Sequence, residues 1–129
     1  MLGIVVDDDE RVLFLEHRFR VPWSWGLPGG FVSTDRSLPE ALARELAEEV
    51  GLVVVVDPQP IDVELVQKSR SLTVTFRARV AGTPEIEPKS PEILSGRFCT
   101  WDELPSGLYP RHRHIAELGW PKPRASRIS

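Results

Sequence analysis

Apolar residues recur every four positions through residues 37–50, and this spacing predicts an amphipathic helix with one buried face. The apolar stripe consists of Leu38, Leu42, Leu46 and Val50. Ser37 and Glu40 have the spacing of a capping box, in which two side chains satisfy free N–H groups at the start of a helix. Gly51 follows the stripe and is predicted to end the helix, because glycine readily adopts the left-handed conformation found there.

Short apolar segments elsewhere along the chain predict β-strands. Residues 2–6 and 12–16 flank the acidic stretch 7–11, and this arrangement predicts a hairpin with a polar turn. Residues 61–68 and 72–80 predict a second hairpin, whose second arm alternates apolar and polar residues as in a sheet with one buried face. The remaining predicted strands are residues 52–57 and residues 98–101.

The other segments predict loops and one weaker helix. Residues 17–25 mix basic and aromatic side chains around a proline, and residues 82–91 are rich in proline, so we expect loops in both places. Residues 111–118 follow a proline and precede a glycine, which favours a late helix. A short helical turn is expected at residues 102–105, and residues 119–129 are expected to form a tail or a packed arm.

Length and composition restrict the class of protein but not its chemistry. The chain has 129 residues, of which 41% are hydrophobic and 27% charged; these values fit one globular domain spanning residues 1–129. The single cysteine, Cys99, cannot form an internal disulfide, which favours a reducing, cytoplasmic location. No apolar stretch is long enough for a membrane span, and the net charge of −3 gives no reason to expect general nucleic-acid binding.

Three glutamates on the predicted helix are the strongest candidates for chemistry. Glu45, Glu48 and Glu49 lie at positions i, i+3 and i+4, so their carboxylates project from one helix face. Such like charges repel each other, whereas Mg²⁺ binds carboxylates together with substrate phosphates. An ordinary solvated helix face is the alternative. Gly29 before the helix and Gly51 after it favour a metal site, because glycine lets backbone carbonyls approach a ligand closely.

The helix and the glycines before it also form a specific motif. Residues 44–52 read Arg-Glu-Leu-Ala-Glu-Glu-Val-Gly-Leu, and residues 25–30 read Trp-Gly-Leu-Pro-Gly-Gly. This pattern resembles the signature of the Nudix (MutT-like) hydrolase family, and its Arg-Glu-x-x-Glu-Glu-x-Gly portion matches completely. The resemblance covers nearly the whole chain, including Trp-Asp-Glu-Leu-Pro at residues 101–105. It implies an α/β fold, an α/β/α sandwich around a mixed β-sheet, with a catalytic loop–helix–loop at residues 30–52.

The same resemblance implies a reaction and a cofactor. The reaction is Mg²⁺-dependent hydrolysis of a phosphoanhydride bond in a nucleoside diphosphate linked to another group, with Mn²⁺ as a substitute metal. A small-molecule nucleotide is the expected partner. ADP-ribose or a nucleoside diphosphate sugar is favoured, and a nucleoside triphosphate comes next. Capped RNA is disfavoured because the sequence has no strongly basic surface. Small members of the family frequently form homodimers, so a homodimer is compatible with the resemblance.

The resemblance also assigns roles to particular residues. The matching metal ligands are the carbonyl of Gly29 and the carboxylates of Glu45, Glu48 and Glu49. Arg44 matches a residue that orients the glutamates through a salt bridge. The residue that takes a proton from the attacking water stays open among Glu48, Glu49 and Glu92. Glu92 matches an acid that commonly precedes the late strand, and the alternative for it is an exposed loop acid.

Arg36 is the one departure from the family pattern, which has a glutamate at this position. That glutamate often pairs with the arginine that corresponds to Arg44, and two arginines there would repel each other. Asp35 or Glu40 is expected to supply the missing carboxylate. The departure leaves an alternative function open, namely a Nudix-fold nucleotide-binding module or regulator with weak or lost turnover.

Substrate contacts are expected outside the motif. Arg18 and Arg20 precede the glycines and are candidates for phosphate binding, while Trp23 or Phe19 is a candidate for stacking on a base. Each of these side chains has surface exposure or packing as its alternative role. The remaining expectations are a solvated sheet face for Arg77 and Arg79, an undecided role for Arg70, core positions for Trp25 and Trp101, inert packing for Cys99, and no metal site at His112 and His114.

Overall fold

The computed structural model describes residues 1–31 and 37–121. Its strands are β1 (Leu2–Val6), β2 (Val12–His17), β3 (Trp25–Gly26), β4 (Val54–Val56), β5 (Asp62–Val66), β6 (Ser71–Val80) and β7 (Ile93–Cys99). Its α-helices are α1 (Leu38–Val50) and α2 (Pro110–Gly119), and a 3₁₀ turn spans Trp101–Glu103. Arg36 and Asp35, where the sequence departs from the expected motif, lie outside the described residues.

β1 and β6 form the centre of one mixed sheet. β1 runs parallel to β6, with Leu2 opposite Thr75 and Val6 opposite Arg79. β2 runs antiparallel to both β1 and β7, and β3 pairs with the end of β2. On the other side of the sheet, β4 and β5 pair with successive parts of β6. Both predicted hairpins are therefore confirmed.

Side chains alternate across this sheet into two cores. On one face, Val5 of β1 and Leu13 of β2 belong to a buried cluster with Leu42 of α1. On the other face, Ile4 of β1 belongs to a second buried cluster with Ile115 of α2. Because α1 and α2 cover opposite faces of the sheet, the predicted α/β/α sandwich is confirmed.

Both ends of α1 follow the sequence prediction. The Ser37 hydroxyl oxygen accepts a hydrogen bond from the Glu40 N–H at 3.4 Å, which satisfies one free donor of the first turn. Gly51 has a φ of 72° and donates its N–H to the Ala47 carbonyl, so it ends the helix in the left-handed conformation. The apolar stripe is buried at Leu42 and Leu46, which fixes the rotation of the helix about its axis.

Two predicted strands begin two or more residues away from their observed starts. β4 begins at Val54 rather than at residue 52, because the Leu52 N–H bonds the Leu46 carbonyl at 3.4 Å and completes the helix end. β7 begins at Ile93 rather than at residue 98. Its early residues lack a long apolar pattern, and β7 is defined by its long-range pairing with β2.

β6 is covered on both faces rather than on one. Thr75, predicted to face solvent, is fully buried. Arg77 is only partly exposed, and its Nη2 donates to the Gly119 carbonyl at the end of α2 over 2.8 Å. The prediction of a solvated Arg77 is therefore wrong, because α2 covers this face. Arg79 is exposed as predicted and pairs with Glu10 at 3.2 Å.

The three tryptophans near α2 are partly buried. Trp25 packs at the edge of the α2 core, while Trp101 contacts Trp120 edge to face, with 5.0 Å between ring centroids. Trp120 also stacks on the buried Phe14, so the segment that begins at residue 119 starts as a helix end and a packed residue rather than as a tail. Cys99 is buried as predicted. Within the described residues, no helix has the length and hydropathy needed to cross a membrane.

Candidate active site

Residues 26–30, Gly-Leu-Pro-Gly-Gly, lie before α1, and we call them the glycine segment. This segment is held against the start of β1. The Gly30 N–H donates to the Met1 carbonyl at 3.1 Å, and the Gly3 N–H donates to the Pro28 carbonyl at 2.9 Å. The backbones approach so closely that a Cβ atom at Gly29 would overlap the Met1 carbonyl oxygen. Glycine is therefore required at this position for steric reasons, and the segment is a rigid edge beside α1.

Glu45 and Glu49 of α1 come together beside this segment. One turn apart on the helix, they line a small cleft with Gly29 and Pro28. The Glu45 Oε1 atom lies 3.3 Å from the position that a Cβ would occupy on Gly30. Two carboxylates and a glycine backbone therefore converge, as the sequence predicts for Glu45, Glu49 and Gly29.

The electrostatics of Glu49 reflect this convergence. Burial, a hydrogen bond with Glu45 and the negative charges of Glu45 and Glu92 together raise the pKa of Glu49 to about 8, and the positive charge of Arg20 opposes the rise. A carboxyl group with its pKa near 8 is mostly neutral at pH 7, so Glu49 keeps its proton beside Glu45.

Glu48 does not join the other two carboxylates. Its side chain is 59% exposed and lies 3.8 Å from the Arg44 Nη1 atom. Among residues 1–31 and 37–121, no three acidic, histidine or cysteine side chains are gathered closely enough to hold a metal ion. The structure thus brings together two of the three predicted glutamate ligands and places the third beside Arg44.

Arg44 follows its predicted pairing only in part. Glu40, one of the two carboxylates expected to pair with it, instead accepts a hydrogen bond from the Ser37 hydroxyl at 2.9 Å. The Arg44 Nε atom is buried and finds no hydrogen-bond acceptor within the part of the chain that the structure describes. Arg44 is paired over 3.8 Å with Glu48, one of the glutamates that the resemblance assigns to it, and its other expected partner, Asp35, lies outside the described residues.

Glu92 lies close enough to the carboxylate pair to affect it, although it is far away in sequence. The Arg18 N–H donates to the Glu92 carbonyl at 2.8 Å, and the Arg18 Nε atom donates to the Pro91 carbonyl at 2.9 Å. These bonds bring the start of β7 next to the end of β2, and the negative charge of Glu92 contributes to the raised pKa of Glu49. Arg18 is thus occupied in part by a structural contact.

Two cavities open on the α2 side of the glycine segment, and Arg20 and His112 line both of them. The larger, of about 400 Å³, is also lined by Phe19, Val21, Trp23 and Tyr109. The smaller, of about 200 Å³, reaches Gly29 and Gly30 and is also lined by residues that include His17 and Arg111. Phe19, Trp23 and Tyr109 remain 75%, 45% and 40% exposed. Arg20 therefore borders both cavities, whereas Trp23 borders only the larger one.

His112 is the functional candidate that the sequence prediction missed. Its Nδ1 atom accepts a hydrogen bond from the Leu27 N–H at 3.0 Å, although 85 residues separate the two. Burial and the positive charge of Arg20 lower the pKa of His112 to about 4, so the ring is neutral at pH 7. A neutral ring that accepts at Nδ1 carries its proton on Nε2. Local sequence gives no indication of this contact, because only the fold brings α2 to the glycine segment.

Comparison with known proteins identifies the family. A model of the NUDIX domain matches residues 1–118. The chain belongs to the Nudix family. Among curated relatives, the NAD-capped RNA hydrolase NudC of Stutzerimonas stutzeri is 34% identical over 116 residues, which cover 90% of this chain and 40% of that protein. A MutT-like protein of Streptomyces ambofaciens is 30% identical over 105 residues, which cover 79% of this chain and 63% of that protein.

Solved structures agree with this assignment. An ADP-ribose pyrophosphatase from Streptococcus suis superposes with a TM-score of 0.71 at 25% identity, covering 92% of this chain and 85% of that one. A UDP-X diphosphatase superposes with a TM-score of 0.74 at 24% identity, covering 92% of this chain and 59% of that one, and at this identity it supports the fold alone. The chain spans 40% of the length of the NudC relative, so the Nudix domain is the part that the two share.

Proposed function

We propose that this Nudix domain hydrolyses a phosphoanhydride bond in a nucleoside diphosphate linked to another group, with a divalent cation held by α1. The observation that carries the proposal is the convergence of the Glu45 and Glu49 carboxylates against the glycine segment. The relatives support it, since their names describe hydrolysis of NAD-capped RNA and of ADP-ribose.

The donor set fits Mg²⁺. Glu45 and Glu49 offer hard oxygen ligands, and the neighbouring glycine backbone has no side chain in the way. Mg²⁺ prefers oxygen ligands and commonly combines carboxylates with phosphate oxygens of the substrate. The raised pKa of Glu49 also supports a cation site, because a bound cation would replace the proton that the carboxylate pair shares. Glu48 reaches the same helix face if it leaves Arg44, a contact that is long at 3.8 Å and therefore weak.

The residues of the chain would then divide the reaction between them. Bound Mg²⁺ would supply charge neutralisation on the diphosphate and orientation of the attacking water. Glu92 is our first candidate for the group that takes the proton of that water, because its charge reaches Glu49 while its side chain is exposed and free to rotate. Arg20 would contribute positive charge near the bound nucleotide, since it lines both neighbouring cavities.

Substrate selection is expected in the larger cavity. Its aromatic residues Phe19, Trp23 and Tyr109 are exposed and are suited to stacking on a planar base. ADP-ribose and nucleoside diphosphate sugars remain the favoured substrates, a dinucleotide such as NAD joins them because of the NudC relatives, and nucleoside triphosphates follow. The cytoplasm remains the proposed location.

Product analysis on a nucleotide panel tests the proposal. The purified protein is incubated with ADP-ribose, a UDP-sugar, NADH and ATP, with and without Mg²⁺, and products are separated by chromatography. We expect a nucleoside monophosphate from at least one compound in Mg²⁺ only. Glu49→Gln should abolish product formation, whereas Glu117→Gln, an exposed glutamate of α2, should not. Absence of product from every compound, with Mg²⁺ or Mn²⁺, would favour the binding-module alternative.

A further inference from the structure

The smaller cavity contains a concentration of nitrogen groups that the carboxylate site does not explain. We call it the histidine cavity and define it by His17, Arg20, Arg111 and His112, with a volume of about 200 Å³. Two of these side chains are permanently cationic, and the other two are neutral imidazoles. Arg111 donates to Glu64 at 2.8 and 3.1 Å, so one carboxylate balances part of the positive charge.

Both histidines have a ring nitrogen to offer. The His17 Nε2 atom is buried and has no hydrogen-bond partner within residues 1–31 and 37–121. His112 is only 7% exposed, and its Nδ1 atom is occupied by the Leu27 N–H, which leaves Nε2–H as its donor. Buried polar groups are normally satisfied, so an unmatched group in a cavity indicates a ligand or ordered water.

Arg20 lies close enough to both histidines to oppose their protonation. Burial is the main cause that lowers the pKa values of His17 and His112 to about 4, and the positive charge of Arg20 adds to it. An anion between Arg20 and the histidines would remove that repulsion. Guanidinium and imidazole N–H groups are the usual ligands of phosphate oxygens.

We propose that the histidine cavity binds a phosphate group of the nucleotide ligand other than the phosphates joined by the bond to be cleaved. The carboxylates belong to α1, on one face of the sheet, whereas Arg111 and His112 belong to α2 on the other face. Gly29 lines both places, but the carboxylates line only the cleft on the α1 side. A diphosphate at Glu45 and Glu49 therefore leaves the histidine cavity for a further phosphate, such as a ribose 2′- or 3′-phosphate.

The inference rests on the proposed function only for the identity of the ligand, and metal-free binding tests it separately. Side-chain NMR signals of the histidines are followed while inorganic phosphate is added without divalent cations. His17 and His112 should shift with saturation, and exposed His114 on the same helix should not. Arg20→Gln should weaken binding about tenfold or more, the loss expected for one charge-assisted hydrogen bond. Arg113→Gln, an exposed arginine of α2 outside the cavity, should leave binding unchanged.

His112→Asn supplies a second variant, because its amide oxygen can still accept from Leu27 while the Nε2 donor is lost. This variant should fold normally and bind phosphate more weakly. Equal shifts of all three histidines without saturation, or no shifts, would overturn the proposal and would indicate an adventitious ion only.

Matched ligands then distinguish a nucleotide phosphate from free phosphate. NADPH is compared with NADH, and coenzyme A with its dephospho form, in the same metal-free titration. In at least one pair the phosphorylated member should bind about tenfold tighter and shift His112, and Arg20→Gln should remove the preference. Equal binding within both pairs would overturn the assignment to a nucleotide phosphate. If these titrations succeed and no substrate is turned over, the hydrolase proposal fails and the phosphate site stands.

Discussion

The two helices contribute to the candidate site in different ways. α1 supplies Glu45 and Glu49, and its boundaries and buried stripe are predictable from the local sequence. α2 supplies His112, whose role depends on Leu27 at a separation of 85 residues. Local periodicity therefore identifies the acidic half of the site, Glu45 and Glu49. The basic half, His112 and Arg20, comes together only in the tertiary fold.

The same two regions have opposite electrostatic preferences. Around Glu49, burial and neighbouring carboxylates favour the protonated neutral form of an acid. Around His112, burial and Arg20 favour the deprotonated neutral form of a base. Without ligands Glu49 and His112 are both neutral beside charged neighbours, and each region is suited to a ligand of opposite sign: a cation at α1 and an anion at α2.

The largest expected effect is loss of turnover when the acidic half is neutralised. Glu49→Gln should lower kcat/KM by about a thousandfold or more, because charge stabilisation by a metal amounts to several kcal/mol. Circular dichroism and the thermal midpoint should stay near those of the wild type. Steady-state kinetics on the substrate found in the nucleotide panel measures this effect. Turnover within threefold of the wild type would show that Glu49 is a bystander.

The next effect tests whether α2 holds the glycine segment. His112→Leu removes the acceptor for the Leu27 N–H and should lower the free energy of unfolding by about 1–3 kcal/mol, the cost of one unsatisfied buried donor. His112→Asn should lose less, because its oxygen takes the place of Nδ1. Urea denaturation at pH 7 compares the two variants. Equal losses would mean that ring packing rather than the hydrogen bond connects α2 to the segment.

A smaller effect is expected at the end of α1. Gly51→Ala should lower the free energy of unfolding by about 1 kcal/mol, since alanine is strained at a φ of 72°. Ser106→Ala, at an exposed loop position, serves as the control and should change nothing measurable. Chemical denaturation reports both values. A neutral Gly51→Ala would mean that the helix end relaxes to another conformation.

The pH dependence of metal-free stability should separate the two regions by sign. The pKa of Glu49 is raised from 4.5 to about 8 in the folded state. The stability of the folded state therefore falls as the pH rises from 4.5 to about 8. The pKa of His112 is lowered from 6.5 to about 4 in the folded state. The stability of the folded state therefore falls as the pH falls from 6.5 to about 4.

Variants assign each side of the pH profile. Glu49→Gln should reduce the pH dependence of the thermal midpoint on the alkaline side only. His112→Asn should reduce it on the acid side only, and in part, because the pKa of His17 is also lowered to about 4. His114→Asn, an exposed histidine of α2, should leave the profile unchanged. A profile that does not change with either site variant would contradict the burial of charge described above.

Much of the fold was predictable because its determinants are local. The capped helix α1 and both hairpins follow from spacing and turn residues, and their pairing is as predicted. The start of β7 was not predictable, because its exposed Leu94 and its Gly96 obscure the strand pattern and partner strand β2 defines it. Arg77 was misread for the same reason, since α2 covers a face that alternation alone assigns to solvent.

The site was predictable to the same extent. The motif located Glu45, Glu49 and the glycines, whose convergence depends on one helix and the segment before it. It did not reveal that Glu48 lies beside Arg44, a choice between two nearby partners that depends on side-chain packing. It also gave no indication of His112 of α2 or of Tyr109, the residue before α2, on the other face of the sheet.

Metal binding measured without any substrate is the direct test of a divalent cation site at Glu45 and Glu49. Mn²⁺ is titrated into the protein and free Mn²⁺ is followed by electron paramagnetic resonance, with Glu49→Gln and the Glu117→Gln control in parallel. We expect a Mn²⁺ site in the wild type and the control whose affinity falls about tenfold or more in Glu49→Gln. Equal Mn²⁺ affinity in all three proteins would contradict metal binding at Glu49.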